Sequence, residues 1–419
     1  MEKRLVLFFS ALFLSLSASF AQSADTLSSA DALRFIRAEF QPFSEMITRS
    51  RVQVPLLGNS LEIMRGMRKH ELLTDDIGNA SECINFEYYE FGTSSIPEQV
   101  REMLMEKARD SVTVRFLAEN ITNAPRRRDY YRDMRSSGMD VRFFSPITRP
   151  LRFLFRLNHR NHQKIAVIDN RIAYIGGMNM DDRYFKDWDD THMRIEGPAA
   201  AVGVNGVFWK MWEDSFRHYD APSFADTVSY PAVESVGKIV QVVSDGPLDG
   251  MNIMEDAYKW LLDNSTGYFY VNTPYFAPPR GVRRAMKAAA SRGADIRIML
   301  PGESDVPIMD PVNRSFYRTL LRSGVRIYSC DGRFNHSKTF VTDDYLFSIG
   351  SVNLDYRSFR INYEDNAFVY DSPVAAHMKA EFETGCAESC REVTLQEVYD
   401  WSIWERLLYG LVRLIAFEM

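Results

Sequence analysis

Cysteine and histidine are scarce in this chain: four and seven among 419 residues. The cysteines, at 83, 330, 386 and 390, show none of the close paired spacings of a zinc framework. They fit an oxidising compartment without demanding one, and leave three full pairings open. Cys386 and Cys390 are read as neighbours on one helix. His159 and His162 form an H-x-x-H pair, but no third ligand clusters with them, so no metal is expected. Net positive charge is missing too. The formal charge is −6, which removes the global electrostatic footprint of a nucleic-acid binder. Low-complexity sequence is absent, and 46% hydrophobic content is ample for a folded core.

Long apolar runs are also missing, with one partial exception. After MEKR comes the sixteen-residue run LVLFFSALFLSLSASF, short of the ~20 residues a membrane span needs. Its basic start and small-residue exit, AQSAD, predict a secretory signal over residues 1–21, cut after Ala21, or an uncleaved anchor in the inner membrane. No cysteine follows closely enough for a lipoprotein. The expected location is exported, on the periplasmic side and at a membrane.

What is present is an alternation of strand-like and helix-like segments. CINFEYYEF (83–91) reads as a strand, PEQVREMLMEKARD (97–110) as a helix, and SVTVRFLAEN as a strand. Helical RRRDYYRDMRSS and extended MDVRFFSP follow. After a helical stretch at 198–216, the Pro- and Ser-rich residues 221–236 read as a linker. The alternation then restarts from KIVQVVS. Such a pattern predicts α/β layers with helices covering a parallel or mixed sheet.

The second half echoes the first. NHQKIAVIDN (161–170) returns as NHSKTFVTDD (335–344), an offset of 174. That offset pairs His162 with His336, Lys164 with Lys338 and Asp169 with Asp343. It also pairs Gly176 with Gly350, Asn179 with Asn353, Asp181 with Asp355, Arg183 with Arg357 and Asp190 with Glu364. One His-x-Lys-x4-Asp is easily met by chance. Eight positions in register are a repeat. Upstream, YYRDMRSSG (130–138) matches FYRTLLRSG (316–324) at an offset of 186, so the first copy carries twelve extra residues before its histidine. They fall within 126–160, which holds ten arginines, three aspartates and no glutamate. This reads as an anion-attracting rim leading to His162.

The residue types indicate chemistry. His-x-Lys on a strand would place both side chains on one face. Small residues at Gly177 and Ser351 would let a ligand approach the backbone. Two histidines, two lysines and two asparagines facing each other suit a phosphodiester: cations offset its charge, amides donate hydrogen bonds, and one imidazole attacks while the other carries a proton. Asp190 and Glu364, each 28 residues after its histidine, are candidates to orient the rings.

These paired motifs resemble those of the phospholipase D superfamily. The words NHRNHQKIAVID, YIGGMNM, WDDTH, RIEGPA, NTPYFAPP and GSVNLDYRSFRINYE resemble its bacterial cardiolipin synthase branch. The resemblance runs from about residue 80 to the C-terminus. It implies two α/β repeats, over 22–220 and 237–395, packed about a pseudo-two-fold axis with the active site at their junction. It further implies no metal and no cofactor, and a catalytic set of His162, Lys164, Asp169, His336, Lys338 and Asp343. His162 would carry the phosphatidyl group and His336 the proton, while Lys164, Lys338, Asn179 and Asn353 hold the phosphoryl oxygens. The implied partners are an anionic phospholipid, phosphatidylglycerol, and a membrane surface, for a monomer that is internally a pseudo-dimer. The family's paired N-terminal membrane helices are replaced by the signal-like segment. Its acidic pair after a first-half strand is here Glu119 and Asn120.

Residues 396–419 predict an amphipathic helix that either packs or lies in a lipid interface. The alternatives to a transferase are a phospholipase D that uses water, a nuclease, and an inactive membrane-binding scaffold. Acidic charge and fused copies count against the nuclease, and two intact histidines against the scaffold.

Overall fold

The computed structural model describes residues 32–50, 52–123, 128–144, 158–215, 237–250 and 252–415. The expected signal (1–21), the linker (221–236) and much of the arginine-rich stretch lie outside the described residues. The first half contributes β1 (Pro55–Met64), β2 (Cys83–Tyr88), β3 (Thr113–Glu119), β4 (Asp140–Phe144), β5 (Lys164–Ile168), β6 (Ile172–Gly176) and β7 (His192–Glu196). The second contributes β8 (Lys238–Asp245), β9 (Tyr268–Asn272), β10 (Phe276–Ala277), β11 (Asp295–Pro301), β12 (Arg326–Cys330), β13 (Thr339–Thr342), β14 (Leu346–Gly350), β15 (Leu354–Asp355), β16 (Glu364–Tyr370) and β17 (Cys390–Glu392).

Fifteen of these strands form one sheet, whose order reads alike in both directions from its centre. From β1 outward it runs β7, β6, β5, β2, β3, β4; from β8 outward it runs β16, β14, β13, β9, β11, β12, with β17 added at the edge. The halves meet where β1 and β8 pair antiparallel, with Leu56 opposite Val240. The outer triplets β2–β3–β4 and β9–β11–β12 are parallel. Parallel neighbours need a crossover on one face, supplied here by helices Ser95–Arg109, Arg128–Ser136, Arg280–Arg292 and Met309–Leu321. The first buries Ile96, Val100, Leu104 and Met105, a stripe at helical spacing, with Glu98 in its first turn and Arg109 in its last. Arg280–Arg292 stops at Gly293, whose φ of 102° is the left-handed cap that glycine adopts without strain.

One buried cluster joins Ile165 and Ile175 of the first half to Phe347, Ile349 and Ala367 of the second. The repeats therefore share a core. Residues 32–47 pack on the second half. Phe43 packs on Trp260 and Phe368, and Ser44 hydrogen-bonds Gln241. The apolar row Ile36, Phe40, Phe43 and Ile47 finds its complementary surface there.

The cysteines also differ from the sequence reading. The helix bearing Cys386 ends at Glu388, and Cys390 lies on β17 opposite Cys330, to which it is disulfide-bonded. Cys83 and Cys386 are free. The bond pins an edge strand across a separation of 60 residues. Replacing both cysteines by serine should lower the unfolding free energy by about 3–4 kcal/mol, by the chain-entropy estimate, measured by urea titration. Non-reducing peptide mapping should recover a Cys330–Cys390 link.

Candidate active site

Both histidines sit just before their strands rather than on them. Lys164 opens β5 and Lys338 directly precedes β13. The lead-in leaves its own ladder there and hydrogen-bonds the other half. His162 N donates to Tyr363 O at 2.9 Å, and Tyr363 N to Arg160 O at 2.8 Å. The counterpart has His336 N donating to Asp189 O at 2.8 Å and Asp189 N to Phe334 O at 2.9 Å. Each histidine is thus held beside the residue that precedes the other half's carboxylate.

The side chains follow the backbone across the junction. His162 Nδ1 lies 2.9 Å from Glu364 Oε2, and His336 Nδ1 lies 2.7 Å from Asp190 Oδ2. The orienting carboxylates predicted from their spacing are therefore exchanged between halves. Both lysines fold back on the same loops: Lys164 Nζ donates to His162 O, and Lys338 Nζ to His336 O at 2.7 Å. Lys338 Nζ also stands 3.1 Å from His336 Nε2.

Burial sets the protonation states. It pulls Lys164 down to about 7 against the attraction of Glu364, and Lys338 to about 8 against Asp190 and Glu364. Burial and Lys338 pull His336 down to about 3, and burial with both lysines drives His162 well below the ordinary imidazole value. The two carboxylates diverge. Burial pushes Glu364 up to about 7 despite Lys164. Asp190 is also buried, yet His336, Lys338 and Lys69 hold it down to about 2. At rest both rings are neutral. His162 is the more open, with 13% of its side chain exposed against 5% for His336.

The other predicted residues fall into three groups. Asn179 and Asn353 are buried near the junction; Asn179 donates to Tyr184 Oη at 2.8 Å, while Asn353 Oδ1 has no hydrogen-bond partner. Gly177 makes room for protein rather than leaving open space, since a Cβ there would lie 2.5 Å from Asp190 Oδ1. Ser351 is fully buried, and its hydroxyl accepts from Asp365 N at 2.9 Å. Asp169 and Asp343, expected in the catalytic set, sit at the far ends of β5 and β13, about 16 Å along the strand from the lysines by the usual rise. Their φ of 50° starts a hairpin turn in a region aspartate tolerates. Asp169 accepts from the backbone of Ser81, Glu82 and Cys83, and Asp343 from Thr266, Gly267 and Tyr268. They fix where β2 and β9 begin.

Four acidic or basic groups near the junction were not singled out by sequence. Lys69 is buried and donates to Asp190 O at 3.0 Å; nothing in KHELL marks it. Glu119, noted only as half of an altered acidic pair, accepts from Asn161 N at 3.0 Å and so anchors the lead-in to His162. Glu87 and Asp365 are fully buried, and Glu87 Oε2 and both Asp365 carboxylate oxygens accept no hydrogen bond. Burial pushes Asp365 up to about 7, and pushes Glu87 well up against its hydrogen bond from Asn161. The repeat offset would have found the contrast at Asp365, and the strand pairing shows it at Glu87. The position matching Asp365 is Thr191, whose hydroxyl pairs with Ser337 at 2.8 Å, and the strand position matching Glu87 is Asn272, which accepts from Asn335 at 2.9 Å.

Comparison with known proteins identifies the family. The profile of the family described as cardiolipin synthase, PLD-like domain, matches residues 73–212 and 258–385. The chain belongs to this branch of the phospholipase D superfamily. It is 30% identical over 367 residues to the major cardiolipin synthase ClsA of Bacillus subtilis strain 168, covering 85% of this chain and 75% of that one. It is 32% identical over 391 residues to a cardiolipin synthase of Staphylococcus aureus strain Mu50, covering 90% and 77%. Like these cardiolipin synthase-branch proteins it is a phosphatidyltransferase. Among solved structures, phosphatidylserine synthase of Haemophilus influenzae Rd KW20 shares the fold, with a TM-score of 0.68 at 13% identity over 91% of this chain and 100% of that one.

The buried acid beneath His162 yields a signed prediction. Asp365 has its native pKa raised from 3.8 to about 7, so its ionisation opposes folding once pH exceeds the unfolded value, and fully so above 7. Asp365→Asn should therefore change stability little at pH 4 and raise it at pH 8, by on the order of 4 kcal/mol at most. Urea titrations at both pH values check this; an equal effect at both would remove the explanation.

Proposed function

We propose that this phosphatidyltransferase joins two molecules of phosphatidylglycerol into cardiolipin, with release of glycerol, through a phosphohistidine on His162. The observation that carries the reading is the exchanged pairing of His162 with Glu364 and His336 with Asp190. It gives one junction two imidazoles in matched settings, as a double displacement requires.

A bound phosphodiester anion faces Lys164, Lys338 and both rings. Its charge favours the protonated forms of the lysines and of one imidazole. His336, beside ionised Asp190, is the better placed to hold that proton. His162, beside the weaker acid Glu364, stays neutral and nucleophilic. In the first step His162 Nε2 bonds to phosphorus, the bond from phosphorus to the glycerol oxygen breaks, and His336 gives its proton to that oxygen. In the second, a head-group hydroxyl of another phosphatidylglycerol yields its proton to His336 and attacks phosphorus. The phosphorus–nitrogen bond then breaks and both rings are restored. One phosphodiester replaces another, so no nucleotide is consumed.

Purified protein with phosphatidylglycerol vesicles should form cardiolipin and glycerol in equal amounts, with EDTA present. Phosphatidic acid as the sole product would make it a hydrolase instead. His162→Ala and His336→Ala should each lower kcat on the order of 10³-fold or more. Only the His336 variant should accumulate phosphatidyl-enzyme, seen by intact-protein mass spectrometry. Adduct in the His162 variant would reverse the assignment.

The lysines predict a pH limb. Free-enzyme kcat/KM should fall as pH rises through about 7–8, where Lys164 and Lys338 lose their protons. A flat profile from pH 6 to pH 9 would show that their charge is dispensable.

A further inference from the structure

The C-terminal helix Ile403–Ile415 faces the wrong way for a water-soluble surface. Its inner side rests Tyr409 and Val412 on the protein, with Arg413 over the Phe316 ring of helix Met309–Leu321. Its outer side presents Ile403, Trp404, Leu407, Leu408, Leu411 and Leu414, recurring every three or four residues. Trp404 is 76% exposed and Leu411 65%. More apolar surface points outward than inward. A contiguous row of this kind marks a contact surface.

A cationic ridge borders that row. Helix Arg280–Arg292 carries Arg280, Arg283, Arg284, Lys287 and Arg292 and no acid. Burial and the nearby charges of Arg413 and Arg280 depress the Arg283 guanidinium to about 10. These like charges lie together. The helix beneath this face leads back towards the junction. Helix Met309–Leu321, on which the C-terminal helix lies, begins directly after the loop bearing exposed Val306 and Ile308. In that loop Asp305 accepts from Tyr275 Oη at 2.8 Å, and the Tyr275 ring stands 6.5 Å from that of His336.

We propose that the outer face of Ile403–Ile415 is a membrane foot: its apolar row enters the interface of an anionic bilayer while the Arg280–Arg292 ridge meets the lipid phosphates. A second copy of the chain is the poorer occupant. A two-fold pairing through this face would press two arginine ridges together, whereas an anionic surface neutralises both features at once. The inference rests on the phospholipid reading above and adds how the enzyme reaches its substrate.

Flotation with vesicles of equimolar phosphatidylglycerol and phosphatidylcholine tests it. The full chain should float, and Leu407→Glu with Leu411→Glu should reduce the bound fraction at least tenfold. Arg280→Glu with Arg284→Glu should do so most strongly at low salt. All these side chains are exposed, and Trp404→Ser supplies a milder change should the double variant misfold. Turnover of short-chain, monomeric phosphatidylglycerol should be unchanged in every variant. That measurement reports on the catalytic reading separately from the foot. Flotation of the leucine variant equal to that of the unaltered protein would overturn the proposal. So would sedimentation showing a dimer that the leucine substitutions split while flotation persists.

Discussion

Everything at the junction depends on burying opposite charges from two halves in one place. Lys164, Lys338, Asp190 and Glu364 are all within 2% of full burial, a condition that is strongly unfavourable for any one of them alone. Each half on its own would carry a buried lysine and a carboxylate with no imidazole to meet. The exchange of Asp190 and Glu364 between halves resolves this, because each ring's partner arrives only when the sheet is joined at β1 and β8. The backbone enforces the same exchange, with His162 N on Tyr363 O and His336 N on Asp189 O. Folding of the pair and assembly of the site are one event.

Much of this was legible in the residues. The α/β alternation, the repeat and its paired histidines could be read because periodicity and spacing are local properties of the chain. The 28-residue step singled out Asp190 and Glu364, which lie against the rings, yet spacing within a repeat cannot show that the two are exchanged between halves. Asp169 and Asp343 illustrate the opposite error. They recur with the histidines because every hairpin of this kind needs a residue tolerant of positive φ and able to cap the neighbouring strand's start. Recurrence reports what the fold needs as readily as what the chemistry needs. Lys69 and residues 32–47 escaped notice because their placement is decided by tertiary contacts.

The repeat is also informative where it fails. Around His336 the supporting polar groups are Thr191, Ser337 and Asn272, all neutral and hydrogen-bonded. Around His162 the equivalent positions are Asp365, Gln163 and Glu87, which place acid where the other half has none. Neutral groups satisfied by hydrogen bonds hold one setting over a wide pH range. Buried acids with carboxylate oxygens left unpaired respond to any nearby change in charge. The two rings thus begin alike in sequence and end in different electrostatic surroundings.

The resting neutrality of both rings and the lowered lysines have one further consequence. A site with this much desolvation binds poorly to water-soluble cations and has little to gain from an uncharged ligand. It gains most from a ligand bringing a negative charge and its own apolar body, since that ligand restores the lysines' protons while excluding water. A phospholipid has both properties, and the apolar row on Ile403–Ile415 belongs to the same physical logic.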